Sequence, residues 1–309
     1  MIDFIKIESE IKDINKFHED SNLDFISNIS LRDGAGDFPP VHETDSYSKY
    51  VSTSTRDDLK YKISEYLDKK TKISTFNLEI TGSLHKRHFN GNNYQDFSYP
   101  MLSEQIEFIK SLKGLGTLHL KNVEFGLNIN VDFDILDYLI SSVIVYKGDR
   151  FNYYNPGSNG MRIGVYQQMA SKVAIKLYNK SIQSNTFGNL LRYEIKYTRM
   201  QKLNKIGIYS IDDLLIKEKL NKLFIEYKRM FNNIILIETP RIKLSEKQEE
   251  YHLKCSNPNY WQNLKKNASN TEYQNKKRTF MKFQENYCYN RKKELTSVFE
   301  NKYMELIES

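Results

Sequence analysis

Alternation of apolar and polar residues over 122–133 is the sequence feature that most restricts how this chain can fold. In NVEFGLNINVDF, every second position is apolar: Val123, Phe125, Leu127, Ile129, Val131 and Phe133. A period of two predicts a β-strand with one face turned to a core. The same alternation occurs in STFNLEITGS at 74–83, SKVAIKLYNK at 171–180 and NLLRYEIKYTR at 189–199, and MIDFIKIES predicts a further strand.

Helices and loops are predicted between these strands at irregular intervals. Helical spacing predicts helices over 56–70, 101–116 and 134–146, and a longer helix from 207 onward that starts with a capping box of Ser210 and Asp213. Clusters of Gly, Pro, Ser and Thr predict a long loop over 31–55 and a hairpin around 155–157. From about 240 onward the chain is expected to be mostly helical and basic.

This irregular order favours an α+β fold over a doubly wound sheet. We expect a central antiparallel sheet with flanking helices, plus a basic helical C-terminal region. Residues 1–240 are expected to form the α+β domain, and residues 241–309 a DNA-binding or accessory region.

Charge is distributed unevenly along the chain. Residues 1–150 contain 18 Lys and Arg against 24 Asp and Glu, whereas residues 151–309 contain 28 against 15. The basic second half favours a polyanionic partner, nucleic acid first and a membrane surface second. We expect no membrane span, because no apolar run reaches about 18 residues. The acidic N-terminus does not resemble a signal peptide and the two cysteines have no zinc spacing, so a cytoplasmic, reducing location is expected.

Polar side chains occupy one face of four predicted strands. They are Glu79; Glu124 with Asn128; Tyr178 with Lys176 and Lys180; and Glu194 with Arg192 and Lys196. If the strands pair in one antiparallel sheet, these side chains lie on a common face. Carboxylates there suit Mg²⁺ or Mn²⁺, and a tyrosine beside them can attack phosphorus. The alternative is a solvated face with modest Glu–Lys cross-strand pairs.

A histidine-containing loop follows the Glu79 strand. His85, Lys86, Arg87 and His88 are adjacent there. They are expected to ligate a metal or contact phosphate, or else to be exposed without such a role.

Several blocks occur in an order that resembles the filamentous-phage gene II/gene X replication initiators and related phage and plasmid proteins. The blocks are MIDFIKIE, LEITGSLHKRHFNGNNYQDF, VEFGLNINVDF, VAIKLYNK and LLRYEIKYTRMQKLNKIGIYSIDDLL. The resemblance covers about residues 70–220 and the first few residues. It implies a rolling-circle Rep-like fold.

The resemblance also implies a function. Proteins of this family nick one DNA strand at an origin, and a tyrosine becomes linked to the 5′ phosphate. By similarity Tyr178 is the nucleophile, with Lys180 and Lys176 beside it, and the metal ligands are Glu124, Glu194 and Glu79 around Mg²⁺ or Mn²⁺. The family's strand acid is usually aspartate, whereas Glu124 stands here. Origin DNA, a host helicase and a host polymerase are the implied partners, in the cytoplasm of a bacterial host.

Two alternatives remain open from the sequence. One is a non-catalytic origin-binding protein that recruits host enzymes, and the other is an RNA-binding or structural phage protein. Under the nickase or the origin-binding hypothesis, Lys276, Lys277 and Arg278 are expected to bind DNA together with His85, Lys86, Arg87, His88, Asn128, Arg192 and Lys196. Other tyrosines also compete with Tyr178 for the nucleophile's role: Tyr153, Tyr154, Tyr166 and Tyr193.

Overall fold

The computed structural model describes residues 1–23, 26–27, 40–155, 160–169 and 172–309. The strands in these ranges are β1 (Ile2–Ile11), β2 (Ile26–Ser27), β3 (His42–Glu43), β4 (Tyr47–Arg56), β5 (Leu59–Asp68), β6 (Ser74–Ser83), β7 (His119–Asn130), β8 (Val143–Tyr146), β9 (Asp149–Arg150), β10 (Asn152–Tyr154), β11 (Gly164–Met169), β12 (Val173–Asn179), β13 (Leu190–Tyr197) and β14 (Ile234–Leu236). The α-helices are α1 (Ile14–Ser21), α2 (Leu84–His88), α3 (Tyr99–Ser111), α4 (Ile135–Ser142), α5 (Lys180–Ser184), α6 (Gln201–Asn204), α7 (Lys217–Asn232), α8 (Glu246–Ser256), α9 (Pro258–Asn267), α10 (Asn270–Tyr287) and α11 (Arg291–Glu308). A 3₁₀ helix spans Ile211–Leu215.

The chain divides into two compact units. The first unit contains residues 1–125, 196–223 and 306–309, and the second contains 126–195 and 224–305. Strand order is β7-β1-β6-β5-β4-β2 in the first unit and β10-β11-β12-β13-β7 in the second, which also holds the small sheet β14-β8-β9. Helices α8–α11 follow the last strand. The predicted α+β class, with an antiparallel sheet, flanking helices and a helical C-terminal region, is confirmed, while the functional boundary at residue 240 stays a prediction.

The core of the first unit follows from the alternation along its strands. Ile7 of β1 lies opposite Ile80 of β6, and Ile63 of β5 lies opposite Leu78. All four side chains are buried, because successive residues of a strand point to opposite faces. The buried face of α3 adds Leu102, Ile106 and Ile109, as the sequence predicts.

The core of the second unit is rich in aromatic side chains. Tyr193 of β13 packs against Tyr227 of α7, with ring centroids 4.4 Å apart, and also against Phe231 and Phe299. The hydroxyl of Tyr227 donates to the carbonyl oxygen of Tyr193 at 3.0 Å. Among the competing tyrosines, Tyr193 is therefore a core residue.

Residues 56–70 were predicted as a helix, but Leu59–Asp68 form strand β5 instead. Leu59, Tyr61 and Ile63 are buried and alternate with Lys60 and Lys62, so β5 has a period of two. Asp57 and Asp58 have φ values of 50° and 62°, which suit the tight turn of a β-hairpin. The prediction was wrong because a short segment with lysines between apolar residues fits either period.

Two further elements differ from their predictions. Of the predicted loop 31–55, residues 47–55 belong to β4, while residues 31–39 lie outside the described residues. The predicted helix 134–146 ends at Ser142, and Val143–Tyr146 forms β8, paired with β14. A run of β-branched residues favours a strand where a partner strand is present.

The long helix predicted from residue 207 onward begins as α7 only at Lys217, and the helix predicted over 101–116 ends at Ser111. The capping box of Ser210 and Asp213 is present, although it opens the 3₁₀ helix rather than α7 itself. Strands β10 and β11 pair antiparallel, with Tyr153 opposite Val165, as predicted for a hairpin whose residues 156–157 lie outside the described residues. In the described chain no helix has the length and apolar character that crossing a membrane requires.

Candidate active site

Tyr178 lies on β12, the third strand from the β10 end of the second unit's sheet. It is opposite Gly164 of β11, where an added Cβ would come within 2.6 Å of the Tyr178 backbone and Cβ. Its ring contacts the ring of Tyr154 on β10, with centroids 5.2 Å apart. Tyr178 is only 3% exposed. Glycine at 164 therefore allows the tyrosine to lie close against the neighbouring strand.

The hydroxyl of Tyr178 meets a buried carboxylate. It donates to Oε2 of Glu194 at 3.3 Å. The same carboxylate accepts from Lys176 at 2.7 Å and from Nε of Arg192 at 2.9 Å. Burial alone raises the pKa of Glu194, but Arg192 and Lys176 reverse this and hold the pKa well below its usual range. Glu194 is therefore an ionised acceptor beside the phenol.

Arg192 belongs to β13, and its buried side chain reaches Asn128 of β7. It is 1% exposed, and its Nη1 donates to Oδ1 of Asn128 at 2.9 Å. Gly126 lies beneath the guanidinium, since a Cβ there would be 2.8 Å from Nη2. A glycine inside a strand often marks such a close approach. Asn128 thus holds Arg192 by a hydrogen bond, and Gly126 leaves room for its guanidinium.

Lys180 brings a further cation to the phenol. It is the first residue of α5, whose N-cap Asn179 accepts from the backbone N–H of Ile182 at 3.0 Å. Lys180 is 1% exposed, donates to Oε1 of Gln183 at 2.6 Å, and lies 6.0 Å from the centre of the Tyr178 ring.

The other two predicted metal ligands are paired with lysines. In the first unit, Glu124 of β7 accepts from Lys196 at 2.5 Å, and Glu79 of β6 pairs with Lys6 of β1 at 2.7 Å. Strand β1 lies between β6 and β7. Among the described residues, no three His, Cys, Asp or Glu side chains gather as metal ligands. Each predicted carboxylate is paired with a protein cation in this arrangement, and the metal-ligand set stays a prediction.

The polar strand faces differ in how far they are exposed to solvent. Arg192 and Glu194 are buried, so β13 is covered on both faces and is not a solvated strand. In contrast, the Lys6–Glu79 pair of the first unit is about one-third exposed and matches the solvated cross-strand pair.

Residues 85–88 form α2 rather than an exposed loop. His85 is buried and stacks on Phe97 at 4.9 Å. The guanidinium of Arg87 lies 3.6 Å from the centre of the Phe108 ring. His88 packs on Phe97 as well. These side chains pack against aromatic rings, and Lys86 remains half-buried.

The three predicted DNA-binding cations of α10 have different environments. Lys276 and Arg278 are exposed. Lys277 instead donates to the backbone carbonyl of Asn233 at 3.1 Å and to its Oδ1 at 2.7 Å, beyond the last turn of α7. Burial, with a contribution from Lys147, lowers the pKa of Lys277 to about 8.

Sequence reasoning missed Gly126 and Gly164 as parts of this site, and it named Tyr154 only as a competing nucleophile. The signal available was glycine inside two strand patterns, which indicates close packing. Of the competing tyrosines, Tyr153 is half-exposed, with the guanidinium of Arg162 3.2 Å from its ring centre. Tyr166 lies on β11 near Tyr154, with ring centroids 6.2 Å apart.

Comparisons with known proteins give one structural similarity. No protein-family model and no curated protein sequence matches the chain. The fold is similar to the "Structure of Rolling Circle Replication Initiator Protein from Geobacillus stearothermophilus", with 12% sequence identity and a TM-score of 0.41. The alignment covers 80% of this chain and 89% of that chain. At this TM-score the similarity assigns no role to any residue.

Proposed function

We propose that this chain initiates rolling-circle DNA replication by cutting one DNA strand and retaining its 5′ end on Tyr178. The supporting observation is the hydrogen bond from the Tyr178 hydroxyl to Glu194, in a cluster that also contains Lys176 and Arg192. The sequence resemblance points to the same tyrosine and the same glutamate.

The proposed cut is a phosphoryl transfer. Oη of Tyr178 attacks the phosphorus, the new P–O bond forms, and the bond from phosphorus to the 3′ oxygen breaks. The phenolic proton passes to the leaving 3′ oxygen, directly or through water, so a free 3′-OH results. The reverse attack by a 3′-OH rejoins the strand. Positioning and charge neutralisation dominate such transfers, which suits Lys176, Lys180 and Arg192 around the phenol.

Glu194 has an orienting role in this scheme. Its pKa is held low, so it is a weak base for a phenolic proton. As an acceptor it fixes the direction of the hydroxyl, and its negative charge keeps Lys176 and Arg192 in place.

Access to Tyr178 requires a local rearrangement. The tyrosine is 3% exposed and lies under the ring of Tyr154 on β10, the strand at the end of the second unit's sheet. A terminal strand of three residues has few backbone bonds to break. The proposed cut therefore includes displacement of Tyr154.

Dependence on Mg²⁺ or Mn²⁺ is proposed from the sequence resemblance alone. A bound divalent ion would neutralise charge on the phosphoryl oxygens. Because Glu79, Glu124 and Glu194 are all ion-paired, no step of the cut is assigned to a metal.

The test is to trap the covalent product. The protein is incubated with a supercoiled plasmid that carries its gene and flanking DNA, with Mg²⁺, Mn²⁺ or EDTA, and linked peptides are identified by mass spectrometry. We expect a phosphotyrosyl adduct on Tyr178, and a loss of nicking of about 10³-fold or more in Tyr178→Phe, because the nucleophile is removed.

Tyr166→Phe is the matched control, since it removes a neighbouring phenol on β11 and is expected to keep the adduct. If Tyr178→Phe nicks DNA as fast as the unaltered protein, Tyr178 is not the nucleophile and another tyrosine must be.

A second candidate function is origin binding without catalysis, followed by recruitment of a host helicase and polymerase. The burial of Tyr178 and the pairing of every predicted carboxylate favour it. Plasmid topology separates the two functions: a nickase relaxes the supercoiled plasmid, whereas a recruiting protein binds it and leaves it supercoiled.

A further inference from the structure

The outer face of the first unit's sheet carries a row of polar side chains. On β5, Lys60, Lys62, Ser64 and Tyr66 point away from the core, while Leu59, Tyr61 and Ile63 point into it. The row from Lys60 to Tyr66 is about 20 Å long at the usual rise of a strand. Next to it lies an open cavity of about 720 Å³, whose lining includes Lys12, Lys49, Lys62, Tyr66, Asn77 and Lys121.

This face has an excess of positive charge. Two of its carboxylates are already paired, Glu79 with Lys6 and Glu8 with Lys121. Four other lysines of the first unit have no ion-pair partner among the described residues, since no described carboxylate comes within 4.0 Å of any of them. They are Lys12, Lys49, Lys60 and Lys62. Of the acidic residues on the cavity wall, Glu10 has no such pair with any residue that the structure describes. The remaining charge therefore favours an anionic partner.

Aromatic rings lie beside these lysines. Lys49 and Tyr66 are direct partners across β4 and β5, and the ammonium is 4.9 Å from the ring centre. Tyr47 lies 5.8 Å from Tyr66, and His42 lies 5.9 Å from Tyr47. These rings are at least partly exposed. Stacking rings interleaved with lysines are typical of surfaces that bind single-stranded nucleic acid, because bases stack while phosphates meet the cations.

We propose that this face binds single-stranded DNA, with Lys60 and Lys62 on phosphates and Tyr66 stacked on a base. The inference rests on the proposed function, since an enzyme that displaces one strand needs a surface for unpaired DNA. Asn77 and Ser64 offer polar contacts between the cations. An acidic protein or lipid surface would use the lysines but would gain nothing from a stacking ring, so Tyr66 distinguishes these partners from DNA.

The test is the affinity of the full-length chain for a fluorescent oligothymidylate, measured by anisotropy at several NaCl concentrations. We expect Lys60→Glu/Lys62→Glu to weaken binding by tenfold or more at low salt. The slope of log affinity against log salt should fall by about 1.4, because each single-strand phosphate contact contributes about 0.7.

Tyr66→Ala is expected to weaken binding about tenfold, whereas Tyr66→Phe keeps the ring and the affinity. A duplex of the same length should be insensitive to Tyr66→Ala, because paired bases cannot stack on it. The charge-matched control is Lys16→Glu/Lys70→Glu, which changes two exposed lysines of α1 and of the turn after β5. Thermal unfolding of all variants is compared with that of the unaltered chain.

Three results would overturn the inference: unchanged binding by Lys60→Glu/Lys62→Glu, an equal loss in the charge-matched control, or an equal effect of Tyr66→Ala on the duplex. These results are independent of the covalent assay. A chain that nicks DNA but binds single strands without this face refutes only the inference. A chain that binds through this face without forming an adduct refutes only the proposed cut.

Discussion

Glu194 is the side chain that balances the charges of Arg192 and Lys176 in the second unit. Arg192 and Lys176 both donate to it, and Arg192 has almost no contact with solvent. Glu194→Gln leaves these cations without their counter-charge, so we expect the free energy of unfolding at pH 7 to fall by about 3–5 kcal/mol. Urea unfolding measures this. Glu226→Gln breaks a solvent-accessible pair with Arg229, and a change of about 1 kcal/mol or less is expected there.

The same residue predicts a pH dependence. The pKa of Glu194 is lower in the folded chain than in the unfolded chain, so its stabilisation is complete above about pH 4.5 and is lost as the pH falls toward the folded value. The free energy of unfolding should therefore decrease more steeply below pH 4.5 in the unaltered protein than in Glu194→Gln. Parallel curves for the two proteins would contradict the lowered pKa.

Gly126 gives a second test of the buried arginine. An added Cβ would lie 2.8 Å from Nη2 and 3.0 Å from Cζ of Arg192. Because the guanidinium is held on two sides by Glu194 and Asn128, it cannot move away freely, and we expect Gly126→Ala to cost about 1–3 kcal/mol. Urea unfolding checks this against Gly116→Ala, where the nearest atoms are 3.4 Å away and little change is expected.

At the residue scale, the sequence predicted which side chains share a strand face but not their environment. Arg192 and Glu194 sit two residues apart in a clear alternation, and this places them on one face. Whether that face is covered depends on chain segments distant in sequence, which alternation does not report. The buried pair Arg192–Glu194 and the solvated pair Lys6–Glu79 therefore arise from the same kind of alternating sequence.

At the element scale, the hairpin of β4 and β5 shows where the sequence-based reasoning failed. Its strands pair in register over ten residues each, yet neither was predicted as a strand. The informative signal was Asp57–Asp58, since two adjacent residues with positive φ form a hairpin turn. β6 and β7 were predicted well because their alternation is long and uninterrupted by lysines at ambiguous spacing.

This turn can be tested directly. Asp58 has a φ of 62°, a region that glycine adopts without the steric penalty of a side chain. We expect Asp58→Gly to raise the free energy of unfolding by about 0.5–1 kcal/mol, despite the greater freedom of glycine in the unfolded chain. Thermal unfolding measures the change. Asp45→Gly, at an exposed bend whose φ is not positive, is expected to be neutral or destabilising, and an equal gain there would refute the turn argument.

At the scale of the whole molecule, net charge is a poor guide to the charge that a partner meets. The second half of the chain has a surplus of 13 positive charges. Several of its cations are buried: Lys180, Arg192 and Lys292. Lys292 donates to the backbone carbonyls of Asn232 and Ile234, so it stabilises the end of α7. Conversely, lysines that have no carboxylate partner among the described residues lie on a sheet face in the acidic first half.

Duplex affinity provides a test of the cations that do reach solvent. Lys276 and Arg278 are exposed on α10, whereas Lys277 between them is bonded to Asn233. We expect Lys276→Glu/Arg278→Glu to weaken binding to unrelated duplexes uniformly. The slope of log affinity against log salt should fall by about 1.8, because each phosphate contact on a duplex contributes about 0.9. Anisotropy over a salt series measures both quantities.

Lys277→Met is the informative comparison within the same helix, because it removes one charge that the structure assigns to the end of α7. It should leave the salt slope unchanged and lower the free energy of unfolding, since the carbonyl and Oδ1 of Asn233 lose their donor. Burial lowers the pKa of Lys277 to about 8 in the folded chain, so the unfolded chain binds this proton more tightly. The unaltered protein therefore gains stability over Lys277→Met as the pH rises above 8, and the loss should be largest well above pH 8. The salt slope of Lys277→Met could instead fall by about 0.9, the amount expected for one exposed cation. That result would show that Lys277 leaves α7 to contact DNA.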